Sequence, residues 1–438
     1  MNRTKLPLLK NNGQNYLLPF IIITACFALW GFANDITNPM VKAFSKIFRM
    51  SVTQGALVQL SFYGGYFAMA FPAAIFIKKY SYKSGILLGL ALYAVGAFLF
   101  FPAMKSGNYY PFLAAYFVLT CGLSFLETSA NPYILTMGPE ENATRRLNMA
   151  QAFNPMGSLL GMYVAMNFIQ VRLNPMSTSE RAALGDAEFE AMKHSDLSIL
   201  IAPYLAIGLV VLAMFLVILI ARMPKNGDKD KSLHFRATLK RIFSIPNYRQ
   251  GVIAQFFYVG AQIMCWTFII QYGTRVFMTR GMEEQVAEVL SQKYNIFAMI
   301  IFCISRLIAT YLMKFFDPGK MLRAFAVAGG FLTLGVILLQ DIWGLYCLVA
   351  VSACMSLMFP TIYGIALKGM GDDAKFGAAG LIMAILGGSI LPPIQASIID
   401  LGTIGKSFPA VNASFILPFL CFIAVAWYGA QASKRSAR

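Results

Sequence analysis

Long apolar runs follow one another along this chain, and they limit its fold more than any other feature. They lie near 17–38, 54–77, 85–103, 110–137, 148–170 and 198–222, then near 249–274, 293–315, 321–340, 343–368, 376–400 and 409–430. About twenty apolar residues are enough to cross about 30 Å of hydrocarbon as a helix, the form in which a backbone satisfies its own hydrogen bonds there. The expected fold is therefore all-α: a polytopic membrane protein with twelve transmembrane helices. Composition points the same way. The chain is 58% hydrophobic and 13% charged, with a mean hydropathy of +0.63, whereas soluble domains carry roughly 25% charged residues.

The formal net charge of +17 invites a nucleic-acid reading. The basic residues, however, sit in short segments between apolar runs, which is the membrane pattern, so no nucleic-acid partner is expected. With both termini inside, the cytoplasmic connections hold 24 of the 36 Lys and Arg and the outer ones 11. That bias predicts cytoplasmic termini. All seven cysteines fall within apolar runs without a C-x-x-C pair, which suits core packing better than disulfides or metal. The basic N-terminus precedes a run too long for a signal-peptide core, so an uncleaved first span is expected.

The longest inside connection, RMPKNGDKDKSLHFRATLKRIFSIPNYR (222–249), divides the spans six and six. The expected organisation is a six-helix bundle over 1–222, a cytoplasmic central loop over 223–248 and a second six-helix bundle over 249–438. Two outside connections, 171–197 and 275–292, look like short amphipathic surface helices. Faint internal similarity supports two pseudo-repeats: KKYSYKSG (78–85) corresponds in place to KFFDPGK (314–320), and GPEENATRR (138–146) to GMGDDAK (369–375). Two such six-helix repeats resemble the architecture of the major facilitator superfamily, in which substrate sits between the halves near the midplane.

Three ionisable residues stand well inside apolar runs: Asp35, Glu127 and Arg306. On insertion scales each costs about 2.5–3.5 kcal/mol at a helix centre, so each needs a partner, a wet cavity or neutralisation. Proton coupling suits the two carboxyl groups, because burial favours the neutral acid. Neutral hydrogen-bonding groups accompany them at helical spacing. Asp35 and Asn38 are i, i+3; Glu127 and Asn131 are i, i+4; Gln151 and Asn154 are i, i+3; Gln255, Tyr258 and Gln262 share a face, with Trp266 one turn on. Amides, carboxylates and aromatic rings suit a polyhydroxylated solute, although hydrogen bonding between helices is the plainer use of a single amide pair.

Nucleotide chemistry is not signalled. GTIGKS (402–407) lacks the leading glycine of a phosphate loop, since Asp400 stands where it is needed, and neither G-x-G-x-x-G nor H-E-x-x-H occurs. His194 and His234 are solitary. No cofactor, metal or enzymatic activity is expected.

The block LETSANPYILTMGPEENATRRLNMAQAFNPMG (126–157), with its LET-x-ANP, GPE and LN-x-AQ-x-FN elements, carries a more specific resemblance. So do GGYFAMAFPAAIFIKKYSYKSGILLG, AQFFYVGAQIMCW and FPTIYGIALKGMG. At these residues the chain resembles the fucose:proton symporters, a branch of the major facilitator superfamily, over nearly all spans. The resemblance implies alternating access and proton-driven uptake of L-fucose or a related sugar. It puts Glu127 on the family's essential protonatable Glu, and Gln151 and Asn154 on its cavity-lining amides. Asp35 falls on a family Asn and Asn38 on its essential Asp, so the pair is exchanged along one face. Phe359 stands where a cavity Tyr precedes the proline of span ten. These departures bear on which sugar is taken, and KKYSYK lacks the Asp of the general facilitator signature.

The reading is thus a proton-coupled sugar importer, with L-fucose first and a glucose/galactose-type symporter or another facilitator transporter second. A non-transporting membrane sensor is the alternative from another class; it would be expected to carry an appended signalling domain. Glu127 and Asp35 are the candidates for proton coupling. The candidates for sugar contact are Asp35, Asn38, Asn131, Gln151, Asn154, Gln255, Tyr258, Gln262, Trp266 and Phe359. Arg306 is a candidate gate or structural charge on the cytoplasmic side. The expected partners are a small neutral sugar, a proton and the bilayer, with the protein a monomer in a bacterial inner membrane.

Overall fold

The computed structural model describes residues 8–11, 14–37, 40–50, 57–174, 176, 180–181, 183–224, 235–404 and 408–436. The all-α expectation holds. The first helices are α1 (Leu17–Thr37), α2 (Met40–Ile47), α3 (Leu57–Lys79), α4 (Tyr82–Ser106) and α5 (Tyr110–Leu135). After them come α6 (Ala143–Gln151), α7 (Phe153–Val164), a π-helical stretch at Ala165–Gln170, and α8 (Asp186–Ile220). The chain continues through α9 (Phe235–Ser244), α10 (Pro246–Met278), α11 (Glu284–Leu312), α12 (Pro318–Leu338), α13 (Ile342–Met355) and α14 (Met358–Ala366). It ends with α15 (Ala374–Met383), α16 (Gly387–Ile399), α17 (Ala410–Ser414) and α18 (Ile416–Ser436).

Among the described residues, eleven helical stretches are long and apolar enough to cross a membrane. The twelfth expected span, at 148–170, is divided into α6, α7 and the π-helical stretch, none of which reaches that length alone. Pro155 is a cause of the break. It lacks an N–H, and its ring crowds the carbonyl four residues earlier. The outer connections also differ from expectation. Instead of separate surface helices, residues from Asp186 onward run straight into α8, and those from Glu284 onward into α11. The polar central connection contributes one short helix, α9; its residues 225–234 and His234 with them lie outside the described residues.

The chain forms two compact units. One comprises Met1–Gln14, Ile134–Ala152 and His234–Arg438; the other comprises Asn15–Tyr133 and Phe153–Leu233. Residues 134–152, which a division of the sequence at 222 assigns to the first half, thus cluster with the later spans. Within the unit containing α1 and α7, the two helices touch backbone to backbone. A Cβ on Gly31 would lie 2.0 Å from the Asn154 carbonyl oxygen, and one on Gly157 would lie 1.9 Å from that of Ala28. Small residues are what such close approach requires in a membrane. An aromatic cluster closes another part of this unit, where Tyr116 and Tyr204 share a hydrogen bond of 2.7 Å and Phe100 stacks on Tyr204. In the other unit the core gathers Met264, Phe268, Leu348, Met355, Phe415 and Phe422, all buried. Six of the seven cysteine thiols are buried and Cys347 is partly so, all free, in keeping with a packing role.

Candidate transport site

In the unit that includes α1, α3, α4, α5 and α7, Glu127 is a buried carboxylate, 6% exposed on α5. The Tyr66 hydroxyl on α3 donates to its Oε1 at 3.0 Å. That contact depends on how closely α3 and α5 approach. A Cβ on Gly65 would meet the Thr120 hydroxyl at 2.1 Å, and Ser124 Oγ donates to the Tyr66 carbonyl at 3.1 Å. Asn131, one turn beyond Glu127, is fully buried. Asp35 on α1 is half-buried, and its charge acts on Tyr63, one turn before Tyr66 on α3. Asn38 lies outside the described residues. Asn154, half-buried on α7, spends its Nδ2 on the Phe27 carbonyl at 3.2 Å, so its amide ties α7 to α1.

The remaining candidates lie in the other unit. Gln151, the last residue of α6, is 5% exposed. Arg306 on α11 is 3% exposed and donates from Nη1 to the Gln151 carbonyl at 2.8 Å and from Nε to the Ser356 carbonyl. Its guanidinium also lies 4.5 Å from the Phe302 ring centroid. A buried cation is thus spread over two carbonyls and a ring face. From α10, the Tyr258 hydroxyl donates to the Met355 carbonyl at 3.0 Å, and Trp266 Nε1 donates to Ser352 Oγ at 3.1 Å. Phe359 is half-buried on α14, its ring 6.4 Å from that of Tyr258. Tyr258, Trp266 and Arg306 therefore converge on the junction between α13 and α14. Gln262 is half-buried.

Gln255 differs from its neighbours. It is fully buried, and neither atom of its amide finds a hydrogen-bond partner among the described residues. An amide buried without partners costs about 1–3 kcal/mol.

Two contributors were not picked out from sequence. Tyr66 is one: a tyrosine in an apolar run has a hydroxyl that must find a partner, and the preceding Gly-Gly signals close helix approach. Asn148 is the other, donating from Nδ2 to Thr361 Oγ1 at 3.1 Å and to the Thr144 carbonyl at 3.0 Å. It stands in the LN-x-AQ element, next to amides that were singled out.

Compared with known proteins, residues 23–393 match the profile of the Major Facilitator Superfamily. An L-fucose-proton symporter of Haemophilus influenzae is 50% identical over 430 residues, covering 96% of this chain and 98% of its own. One from Escherichia coli is 34% identical, covering 95% and 94% respectively. A glucose/galactose transporter of Brucella abortus is 30% identical, covering 97% and 96%. Among solved structures, the E. coli fucose:proton symporter superposes with a TM-score of 0.85 at 33% identity, covering 96% of this chain and 99% of that one. A second structure of that protein, in the outward conformation, gives the same TM-score.

Proposed function

Because this chain belongs to the major facilitator superfamily, we propose that it is a proton-coupled sugar importer, taking L-fucose by alternating access. The observation that carries the substrate is the 50% identity to an L-fucose-proton symporter along nearly the whole of both chains. The coupling role rests on Glu127, a buried carboxyl whose hydrogen bond comes from a tyrosine hydroxyl. A group so placed can take up and release a proton without a permanent countercharge. Asp35 assists coupling or binds sugar. Asn38, Asn131, Gln151, Asn154, Gln255, Tyr258, Gln262, Trp266 and Phe359 supply amides, hydroxyls and ring faces for the sugar. Residues 1–222 and 249–438 act as the two moving bundles. The protein works as a monomer in a bacterial inner membrane with both termini cytoplasmic, as the distribution of Lys and Arg between connections supports.

The multi-pass helical architecture and the transporter relatives favour transport over a sensor. The test is uptake of radiolabelled sugar into proteoliposomes under an imposed pH gradient. L-Fucose accumulates and an uncoupler abolishes the accumulation. D-Galactose or D-glucose accumulating in its place would assign the chain to the glucose/galactose type, a reading that the Brucella relative supports. Failure of all three rejects a sugar substrate of this class. Glu127→Gln abolishes gradient-driven accumulation but keeps sugar counterflow; full accumulation by that variant removes Glu127 from coupling.

A further inference from the structure

Several helical prolines in this protein deprive a backbone carbonyl of its donor, and at two of them a single side chain takes the place of both missing donors. In an α-helix the carbonyl of residue i accepts from the N–H of residue i+4, and a proline there has none to give. Pro155 stands four residues after Gln151, and Pro360 four after Ser356. The helix is interrupted at both places. One ends at Gln151 and restarts at Phe153; the other ends at Met355 and restarts at Met358. In each restart the proline is the third residue, within the first turn, where an N–H is not required.

Arg306 donates to both orphaned carbonyls, at 2.8 Å to Gln151 and through Nε to Ser356. Arginine suits this task because its donors are fixed in a planar fork, whereas lysine offers a compact point charge on a flexible stem. Every group in the arrangement belongs to the same compact unit. Tyr258 caps the neighbouring carbonyl of Met355, so the α13–α14 break is held from two helices. Any movement that separates α6 from the α13–α14 junction must give up one of the Arg306 bonds.

We propose that Arg306 is a positioning residue that ties the two proline breaks together in this conformation, setting Gln151 and Phe359 relative to each other until the bundles part. This inference rests on the reading of Gln151 and Phe359 as sugar contacts. Gln151 carries one of the capped carbonyls, and Phe359 lies three residues beyond the other.

The test is a cycle of variants in the full-length protein, reconstituted and normalised to folded transporter. Arg306→Met raises the L-fucose counterflow KM by about 10-fold, the order of one or two lost charge-assisted hydrogen bonds. Pro155→Ala with Pro360→Ala returns an N–H to each carbonyl. In that background Arg306→Met raises KM by less than about 3-fold. Arg306→Lys, with its single ammonium, falls between. Equal effects of Arg306→Met in both backgrounds overturn the proposal, as does an unchanged KM with only less folded protein. Should Arg306→Met fail to reconstitute, Arg306→Lys decides by the same comparison. Amide hydrogen exchange over 143–166 and 342–366 needs no sugar. It quickens in the arginine variants and is restored by the two alanines; no quickening overturns the clamp. If none of the three sugars accumulates in the unaltered protein, the sugar reading fails, and the exchange measurement still judges the clamp.

Discussion

At Glu127 the chemistry turns on the hydrogen bond from Tyr66. A bond to a charged group is worth about 1.5–3 kcal/mol in such settings. Tyr66→Phe removes the donor while the Ser124 bond to the Tyr66 carbonyl, which belongs to the backbone, stays in place. The expected outcome is a folded transporter whose counterflow KM stays within about twofold, but whose gradient-driven uptake is about 10-fold slower. Parallel counterflow and uptake assays check it; equal loss in both would make Tyr66 a packing residue only. Gln255 makes the opposite kind of prediction. Replacing its partnerless buried amide with leucine removes an unpaired polar group, so thermal unfolding moves up by the equivalent of about 1 kcal/mol or stays level. Uptake nevertheless falls by about 10-fold if the amide serves the sugar. A stabilised Gln255→Leu with full uptake would take Gln255 out of the substrate set.

At the level of elements, the start of α8 is pinned by an ion pair between Arg181 and Asp196, 2.7 Å apart with side chains 1% and 2% exposed. The Asp196 carboxylate also accepts from the Asn174 backbone N–H at 2.9 Å, and Arg181 donates to the Asn174 and Met176 carbonyls. Removing one partner of a buried pair leaves the other charge stranded, at about 3–5 kcal/mol, whereas replacing both with apolar groups is often neutral. Arg181→Met is therefore expected to lower the unfolding temperature of the purified protein well below that of Arg181→Met/Asp196→Leu. A double variant as unstable as the single one would show that the loss comes from the arginine's carbonyl contacts instead. This anchor was hidden in sequence, because Arg181 and Asp196 sit in a polar connection where charges ordinarily face solvent. The spans were legible for the opposite reason: a bilayer demands long uninterrupted apolar runs, and they stand out. The interruption of the fifth could have been found from Pro155, but the run of apolar residues on either side masks it. That Arg306 would cap the carbonyls freed by Pro155 and Pro360 could not be read, since its partners lie 155 and 50 residues away and are backbone atoms. The candidate amides show the same limit. Helical spacing groups Gln255, Tyr258 and Trp266 on one face, yet only the packing reveals that Tyr258 and Trp266 are spent on the α13–α14 junction and Gln255 is not.

For the molecule as a whole, the proposed import closes energetically with one proton and a neutral sugar. A membrane potential of 100 mV supplies about 2.3 kcal/mol per elementary charge. At 1.4 kcal/mol per tenfold that sustains roughly 50-fold accumulation without any pH difference. Nucleotide is not needed for that gradient. Proteoliposomes given a potassium diffusion potential, negative inside and with equal pH on both sides, should therefore accumulate L-fucose in proportion to the imposed voltage. With the proton as the moving charge, as proposed, each 60 mV or so should change the limiting ratio about tenfold for a one-to-one stoichiometry. Glu127→Gln should abolish this response and hold the ratio near unity, because its neutral side chain carries no proton through the cycle. Accumulation that ignores the potential, or that follows a sodium gradient instead, would contradict the assignment of a proton as the coupled ion, whatever sugar is carried.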